Sequence, residues 1–207
     1  YDIPVVVGAL AASREIYRIG MGCPLDKINE TWNRAIAHPI PPVVVENAPC
    51  HEIVIQGKEL DLPGKGLDGL PIPISTPGWD IAPFTTLSQY ITKDPDTGVQ
   101  NMGNYRGQVK ARRRLGMNPS LELRPGIYSH WERLRERGFK KLPCAVVLGA
   151  PPCVTFASVQ KIPDTLDELH VAGALVGAPI NVVKAKTVDL LVPAEAEIVI
   201  EGFIDTE

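Results

Sequence analysis

No apolar run in the chain approaches the roughly 18 residues that a membrane-spanning helix needs, and no signal peptide is visible, so neither a membrane partner nor secretion is expected. Cysteine is scarce. Cys23, Cys50, Cys144 and Cys153 lie far apart and form no C-x-x-C pair, so no paired-thiol site is expected. Cys144 sits inside an apolar run and reads as a buried free thiol, as in a reducing cytoplasm. Cys153 has no nearby histidine signal and is not expected to be a nucleophile. An excess of positive charge is also missing. The formal net charge of −3 argues against a general nucleic-acid binder, although local basic clusters remain. What is plentiful is proline, 20 residues, and glycine, 18, which favours a loop-rich, β-containing fold over a helical bundle. At 207 residues, 44% hydrophobic and 22% charged, the chain has the composition of a globular protein with a real core, in one large domain or a domain and a half.

The most informative stretch runs from Thr92 to Arg106. Asp94-Pro95-Asp96 presets φ at Pro95 and supplies Asx side chains to the backbone, and Gly98 can take positive φ at the exit. A β-rich run, Phe84 to Ile91, precedes this turn, so the reading is strand, tight turn and a return segment ending in Asn101-x-Gly103-x-x-Arg106. Gly103 would let backbone N–H groups approach an anion, and Arg106 offers a planar, permanently charged fork for phosphate or carboxylate. An ordinary hairpin with a surface arginine has the same spacing. The pair Asp94/Asp96 is explained by the turn alone.

Elsewhere the pattern is α+β rather than a regular βαβ repeat. A strand over 1–10 is expected to feed a helix beginning near Ser13 and ended by Gly20 and Gly22. Apolar residues Leu25, Ile28, Trp32, Ala35 and Ile36 recur near a 3.6 period and predict a helix with one buried stripe. Pro39, Pro41 and Pro42 end it and mark the first candidate boundary. A short strand is expected over 51–56, and an extended Gly/Pro-rich segment over 57–78. Lys110 to Arg114 is the most basic stretch: a solvated face, an interface, or the cradle of a bulky anionic tail such as a CoA thioester. Ser129 with Glu132 suggests a capping box at the start of a helix closed by Gly138. Leu142–Leu148 reads as a buried strand followed by a helix over 154–160. Asp164 or Thr165 is expected to cap a helix over 166–175, and strands follow over 181–186, 189–192 and 197–204.

Five ordered blocks, ITKDPDTG (91–98), NMGNYR (101–106), VVLGAPP (146–152), IPDTLDELHVAGAL (162–175) and VDLLVPAEAEIVIEG (188–202), resemble the UbiD family of prenylated-flavin-dependent, reversible (de)carboxylases of aromatic and α,β-unsaturated acids. The resemblance implies an N-terminal α/β segment over 1–42 and a flavin-reductase-like split β-barrel with flanking helices over 43–207, without the family's C-terminal domain. It implies prenylated FMN, supplied by a flavin prenyltransferase, whose phosphate is held through Mn²⁺ or Mg²⁺ and a monovalent ion such as K⁺. Asn101 and Glu168 match metal ligands, and Arg106 matches the catalytic arginine that engages the substrate carboxylate. Gly103, Asn104 and Tyr105 fall in the segment that lines the cofactor, as do Ser158, Val159 and Gln160. The chemistry suits the residue types: a hard cation prefers the oxygens of Asn and Glu, and arginine clamps a carboxylate bidentately. NMGNYR resembles the subgroup acting on (hydroxy)aromatic acids. A homo-oligomeric, cytoplasmic enzyme acting on a small carboxylic acid is implied, with no nucleic acid and no membrane.

Two departures stand out. The family's metal-binding histidine falls on Arg124 by direct counting. Tyr128 stands in the local Pro125-Gly126-Ile127-Tyr128 setting, so His130 enters as a metal ligand only with a small insertion, and Arg124 is an alternative partner for the phosphate. The family's general-acid glutamates lie beyond Glu207, and neither Glu201 nor Glu207 matches them. Both ends look cut, so residues 1–207 are expected to be a portion of a longer protein, inactive alone. The alternative is a non-catalytic flavin- or phosphate-binding subunit of a larger complex.

Overall fold

A computed structural model describes residues 3–207; Tyr1 and Asp2 lie outside the described residues. Residues 3–10 form no strand, in contrast to expectation, and Val5, Val6 and Val7 are exposed. Helix α1 is Arg14–Met21, entered from an extended Ser13 and ended by Gly22 in the left-handed region (φ 62°), while Gly20 lies inside it. Helix α2 is Ile28–Ala37, preceded by a single 3-10 turn at Leu25–Lys27. Both pack onto the main core: Tyr17 stacks on Phe156 with ring centroids 5.3 Å apart, and Ile40 N–H donates to the carbonyl of His170. Ala35, on the predicted stripe, is fully buried.

The strands form three sheets and, among the described residues, no closed barrel. In the first, β1 (Val43–Val44) runs parallel to β8 (Asn181–Lys184), which pairs antiparallel with β9 (Leu191–Pro193). The central sheet is antiparallel throughout, in the order β10 (Ile198–Asp205), β7 (Lys141–Leu148), β3 (Ser88–Lys93), β4 (Gln100–Asn104). The third comprises β2 (Phe84–Thr85), β5 (Gly107–Ala111) and β6 (Arg114–Gly116).

The central sheet is covered on both sides. One face sends Ile91, Met102, Ala145 and Val147 into the main core with Val154, Leu169, Val171 and Val182; the other puts Tyr90, Cys144 and Val146 against Ile127. A strand covered on two sides loses polar–apolar alternation, which is why Leu142–Leu148 reads as a nearly continuous apolar run. Helix α3 (Gly126–Glu136) covers the smaller cluster; α4 (Pro152–Ser158) and α5 (Glu168–Val176) cover the main core. No helix among the described residues is long and apolar enough to cross a membrane.

The turn after β3 forms as its sequence dictates. Asp94 N–H donates to Val99 O and Gly98 N–H to Asp94 O, both at 2.9 Å, with Gly98 at φ 76°. Asp94 Oδ1 accepts from Asp96 N–H at 2.7 Å and Thr97 N–H at 3.3 Å, and Oδ2 pairs with Arg133, which fastens the turn to α3.

Several expectations are corrected. Residues 51–56 are not a strand: Pro49–His51 is a 3-10 turn, and Ile53 is 77% exposed with no strand beside it. Phe84 to Ile91 is two strands, because the chain leaves the β2 sheet at Thr86–Leu87 and joins the central one. Ser129 does not cap α3; Pro125, extended, precedes it, its fixed φ suiting a helix entrance. Neither Asp164 nor Thr165 caps α5: Asp167 does, its Oδ1 accepting from Leu169 N–H at 2.8 Å.

Candidate functional site

β4 lies at an edge of the central sheet, so the backbone N–H groups on its outer side need partners from elsewhere. The first residue of α5 supplies one: Glu168 Oε2 accepts from Met102 N–H at 2.7 Å. Its other oxygen, Oε1, accepts from Asn101 Nδ2 at 2.9 Å. Asp167 fixes the start of α5 and so aims Glu168 at this edge. Glu168 is only 3% exposed, and its pKa is pushed up to about 8, chiefly by burial, with Asp167 beside it adding to the rise against the N–H groups that oppose it. Burial likewise raises the carboxyl of Asp167. A buried acid directed at a carboxamide, with a half-buried acid beside it, forms a place that asks for positive charge.

Helix α3 begins against the same carboxamide. A Cβ at Gly126 would stand 2.5 Å from Asn101 Oδ1 and 2.5 Å from its Cγ, so only glycine lets the N-terminus of α3 reach Asn101. Gly103 gives a similar close approach further along β4: a Cβ there would lie 2.5 Å from the Tyr105 ring, which folds back over the strand and packs edge-on against Tyr90. The Tyr105 hydroxyl is pushed up to about 12, by burial first and then by the charge of Glu168. On the opposite face of the ladder, Asn104 faces Gln89, and the side-chain oxygens of both are buried without a hydrogen-bond partner. Orphaned buried acceptors of this kind call for a donor from a ligand or water. Ser158 is buried at the end of α4, its hydroxyl donating to Thr155 O at 2.8 Å, whereas Val159 and Gln160 are exposed beyond it. Helix α4 packs against β4.

Arg106 lies in the short link between β4 and β5. Its Nη1 stands 3.5 Å from Asp80 Oδ1 and its guanidinium carbon 4.0 Å above the Phe84 ring, with the side chain still 55% exposed. Neither Asp80 nor Phe84 stands out as a site residue in the sequence. Asp80 lies in a Pro-Gly turn segment whose partner is 26 residues away, and nothing local announces that pairing. Gly126 is visible in the sequence within Pro125-Gly126, but its fit to Asn101 is visible only in space.

His130 is buried, with Nδ1 2.9 Å from Thr92 Oγ1 and Nε2 3.8 Å from Asp94 Oδ2. Burial holds its pKa below the usual value against the pull of Asp94. Thr92 pairs with Asn101 across the β3–β4 ladder, so His130 stands behind that residue, and no hydrogen bond joins its ring to Asn101 or Glu168. Among the described residues no cluster of three His, Cys, Asp or Glu side chains is placed to hold a metal ion. Arg124, the one non-glycine residue among the described residues with positive φ (40°), pairs with Glu132 and lies over Tyr128. Two of the four cations of the basic stretch are paired: Arg112 Nε is 3.1 Å from Asp68 Oδ2, and Arg113 Nη1 is 3.1 Å from Asp61 Oδ1.

The donor set suits a hard cation. A carboxylate and a carboxamide, the oxygen-bearing groups such a cation prefers, converge at a buried edge. The space at Gly103 and Gly126 is taken up by the Tyr105 ring and the Asn101 side chain, so both glycines serve the close packing of the β4 edge.

Residues 43–207 match the family model described as UbiD, the 3-octaprenyl-4-hydroxybenzoate carboxy-lyase Rift-related domain. The chain is similar to the UbiD-class enzyme HmfF from Pelotomaculum thermopropionicum in complex with FMN, at 36% identity and a TM-score of 0.87 over 98% of this chain and 44% of that one. An evolved dimeric form of HmfF in complex with prFMN matches at 32% identity, TM-score 0.78, over 94% of this chain and 44% of that one. Apo 3,4-dihydroxybenzoic acid decarboxylase (AroY) from Klebsiella pneumoniae matches at 30% identity, TM-score 0.83, over 97% and 41%. The chain therefore spans less than half the length of the solved relatives it matches.

Proposed function

The chain belongs to the UbiD family, and from that premise we propose that it is the flavin-binding portion of a reversible, non-oxidative decarboxylase acting through prenylated FMN on an aromatic or α,β-unsaturated carboxylic acid. The observation that carries this reading is the meeting of Asn101 and Glu168 at the buried edge of β4, with Arg106 on the same segment. In this reading the sheets over 43–207 are parts of a split β-barrel, helices from 1–42 pack against it, and the intact enzyme assembles as a homo-oligomer.

Asn101 and Glu168 would hold Mn²⁺ or Mg²⁺, which in turn would hold the cofactor phosphate, with the N-terminus of α3 favouring the same negative charge. The bound flavin supplies the electron sink for breaking the bond to the carboxyl carbon. The other tasks fall to side chains of this chain. Arg106 donates its free guanidinium edge to the substrate carboxylate and fixes the direction of the bond to be broken. Tyr105 and Gly103 shape the wall beside it, and His130 braces Thr92 behind Asn101.

The test is carboxyl exchange by the natural-length protein co-expressed with a flavin prenyltransferase. Incorporation of ¹³C-bicarbonate into an aromatic or cinnamic-type acid is expected, and Arg106→Ala should abolish it. Bound flavin without exchange into any acid of either class would instead favour a non-catalytic flavin- or phosphate-binding subunit. Absence of bound flavin would overturn the decarboxylase reading and leave only a non-catalytic, phosphate-binding subunit.

A further inference from the structure

Arg106 is held from two sides by residues of an upstream segment. Asp80 Oδ1 meets Nη1 at 3.5 Å, and Phe84 lies under the guanidinium with its centroid 4.0 Å from the central carbon. Both supports are better fixed than Arg106 itself. The Asp80 side chain is 12% exposed against 55% for Arg106. Asp80 Oδ2 accepts from Thr76 N–H at 3.1 Å, and the Asp80 and Trp79 N–H groups both donate to Thr76 O, at 2.9 and 3.0 Å. Phe84 is pinned by its N–H to Pro73 O at 3.2 Å and by pairing with Gln108 on β5.

A guanidinium has five N–H donors in a rigid fork. One oxygen of Asp80 engages one corner and Phe84 covers one face, so the other corner and face stay available to a carboxylate. We propose that Asp80 is a positioning residue, which together with Phe84 orients the Arg106 guanidinium so that its open edge receives the carboxylate of the substrate. This rests on the proposed role of Arg106 as the carboxylate clamp. In water a long arginine side chain samples many rotamers, and ordering it beforehand spares the ligand that cost. A partly exposed ion pair of this kind contributes up to about a fivefold effect. The opposite behaviour is also chemically defined: an acid beside Arg106 could compete with the incoming carboxylate, and losing it would then tighten binding.

The test is a double-mutant cycle in the natural-length, flavin-loaded protein, with Asp80→Asn and Arg106→Ala singly and together. Asparagine retains an acceptor for Thr76 N–H while losing the charge. Calorimetry would give affinities for benzoate and cinnamate, with benzamide and cinnamamide as neutral controls. Asp80→Asn should weaken carboxylate binding about fivefold, leave the amides unchanged, and have no further effect in the Arg106→Ala background. Phe84→Leu should weaken the same carboxylates and spare the amides, which gives a second handle if Asp80→Asn folds poorly. Tighter carboxylate binding in Asp80→Asn, an equal effect on amides, or the same loss in the Arg106→Ala background would each overturn the positioning role. Wild-type protein that binds the acids while Asp80→Asn and Phe84→Leu leave them unaffected would overturn that role alone. Wild-type protein that binds neither acid would overturn the functional reading and this inference with it.

Discussion

Without a cation, Glu168 should make the protein less stable as pH rises. Its folded-state pKa is raised from 4.5 to about 8, chiefly by burial. In the unfolded chain the carboxyl loses its proton near 4.5, so folding takes up a proton between the two values. The stability associated with Glu168 is then fully present below pH 4.5 and declines as pH approaches 8. The gap from 4.5 to about 8, at about 1.4 kcal/mol per tenfold change, amounts to about 5 kcal/mol. Set against the roughly 5–15 kcal/mol that holds a typical domain together, this is a large term. A divalent cation at Asn101 and Glu168 would reverse it, because a bound cation favours the ionised carboxylate and competes with its proton. Urea unfolding at pH 5, 6, 7 and 8, with and without millimolar Mn²⁺, should show cation-free stability falling with pH and a Mn²⁺ effect growing with pH. Glu168→Gln keeps an acceptor for Met102 N–H and has no proton to lose, so its stability should lack this fall and its response to Mn²⁺ should vanish. His130, whose pKa burial lowers, contributes in the opposite direction near its ordinary titration range, but equally in both proteins. Equal pH slopes for wild type and Glu168→Gln, or equal stabilisation of both by Mn²⁺, would refute the assignment of buried charge to this carboxylate.

Gly126→Ala places a methyl group 2.5 Å from Asn101 Oδ1, so Mn²⁺ affinity measured by calorimetry should drop about 10- to 100-fold, as expected when a supporting contact of a ligand is disturbed. Thr92→Val removes the buried partner of His130 Nδ1 and should cost about 1–3 kcal/mol in urea unfolding. Asp167→Ala removes the cap of α5, with a loss of about 1 kcal/mol in the same assay and a weakened Mn²⁺ response, since the cap also aims Glu168. Arg112→Ala with Arg113→Ala breaks two exposed pairs with Asp68 and Asp61, so unfolding should change by about 1 kcal/mol or less and flavin retention by absorbance should be unaltered.

Local chemistry is legible in the sequence wherever a few neighbouring residues decide the outcome. The Asp94–Gly98 turn needs only its own Asx oxygens and one glycine with positive φ. Leu142–Leu148 announces burial on both faces by its unbroken apolar run. Where competing local signals stand side by side, packing decides: Asp164, Thr165 and Asp167 can each start a helix, and only Asp167 places Glu168 on the β4 edge. Ile53, Val54 and Ile55 have strand character but no neighbouring strand. The site shows the same divide. Asn101 and Glu168 are 67 residues apart, a separation that spacing arguments cannot bridge, and family resemblance rather than pattern pairs them. The Arg106–Asp80 contact has neither route, because no local periodicity connects the 75–82 segment to the strand it serves.

The Glu168–Met102 contact also bears on self-association. The outer edge of β4 is where a strand from another molecule could add, and the buried carboxylate of α5 occupies one of the N–H groups such a strand would need. A substitution that shortens this side chain, as alanine would, removes the edge guard together with the proposed cation ligand. Loss of Glu168 should therefore appear as sheet-to-sheet oligomers and precipitation during refolding. Those symptoms would follow from an unblocked β edge even in protein that never encounters cofactor.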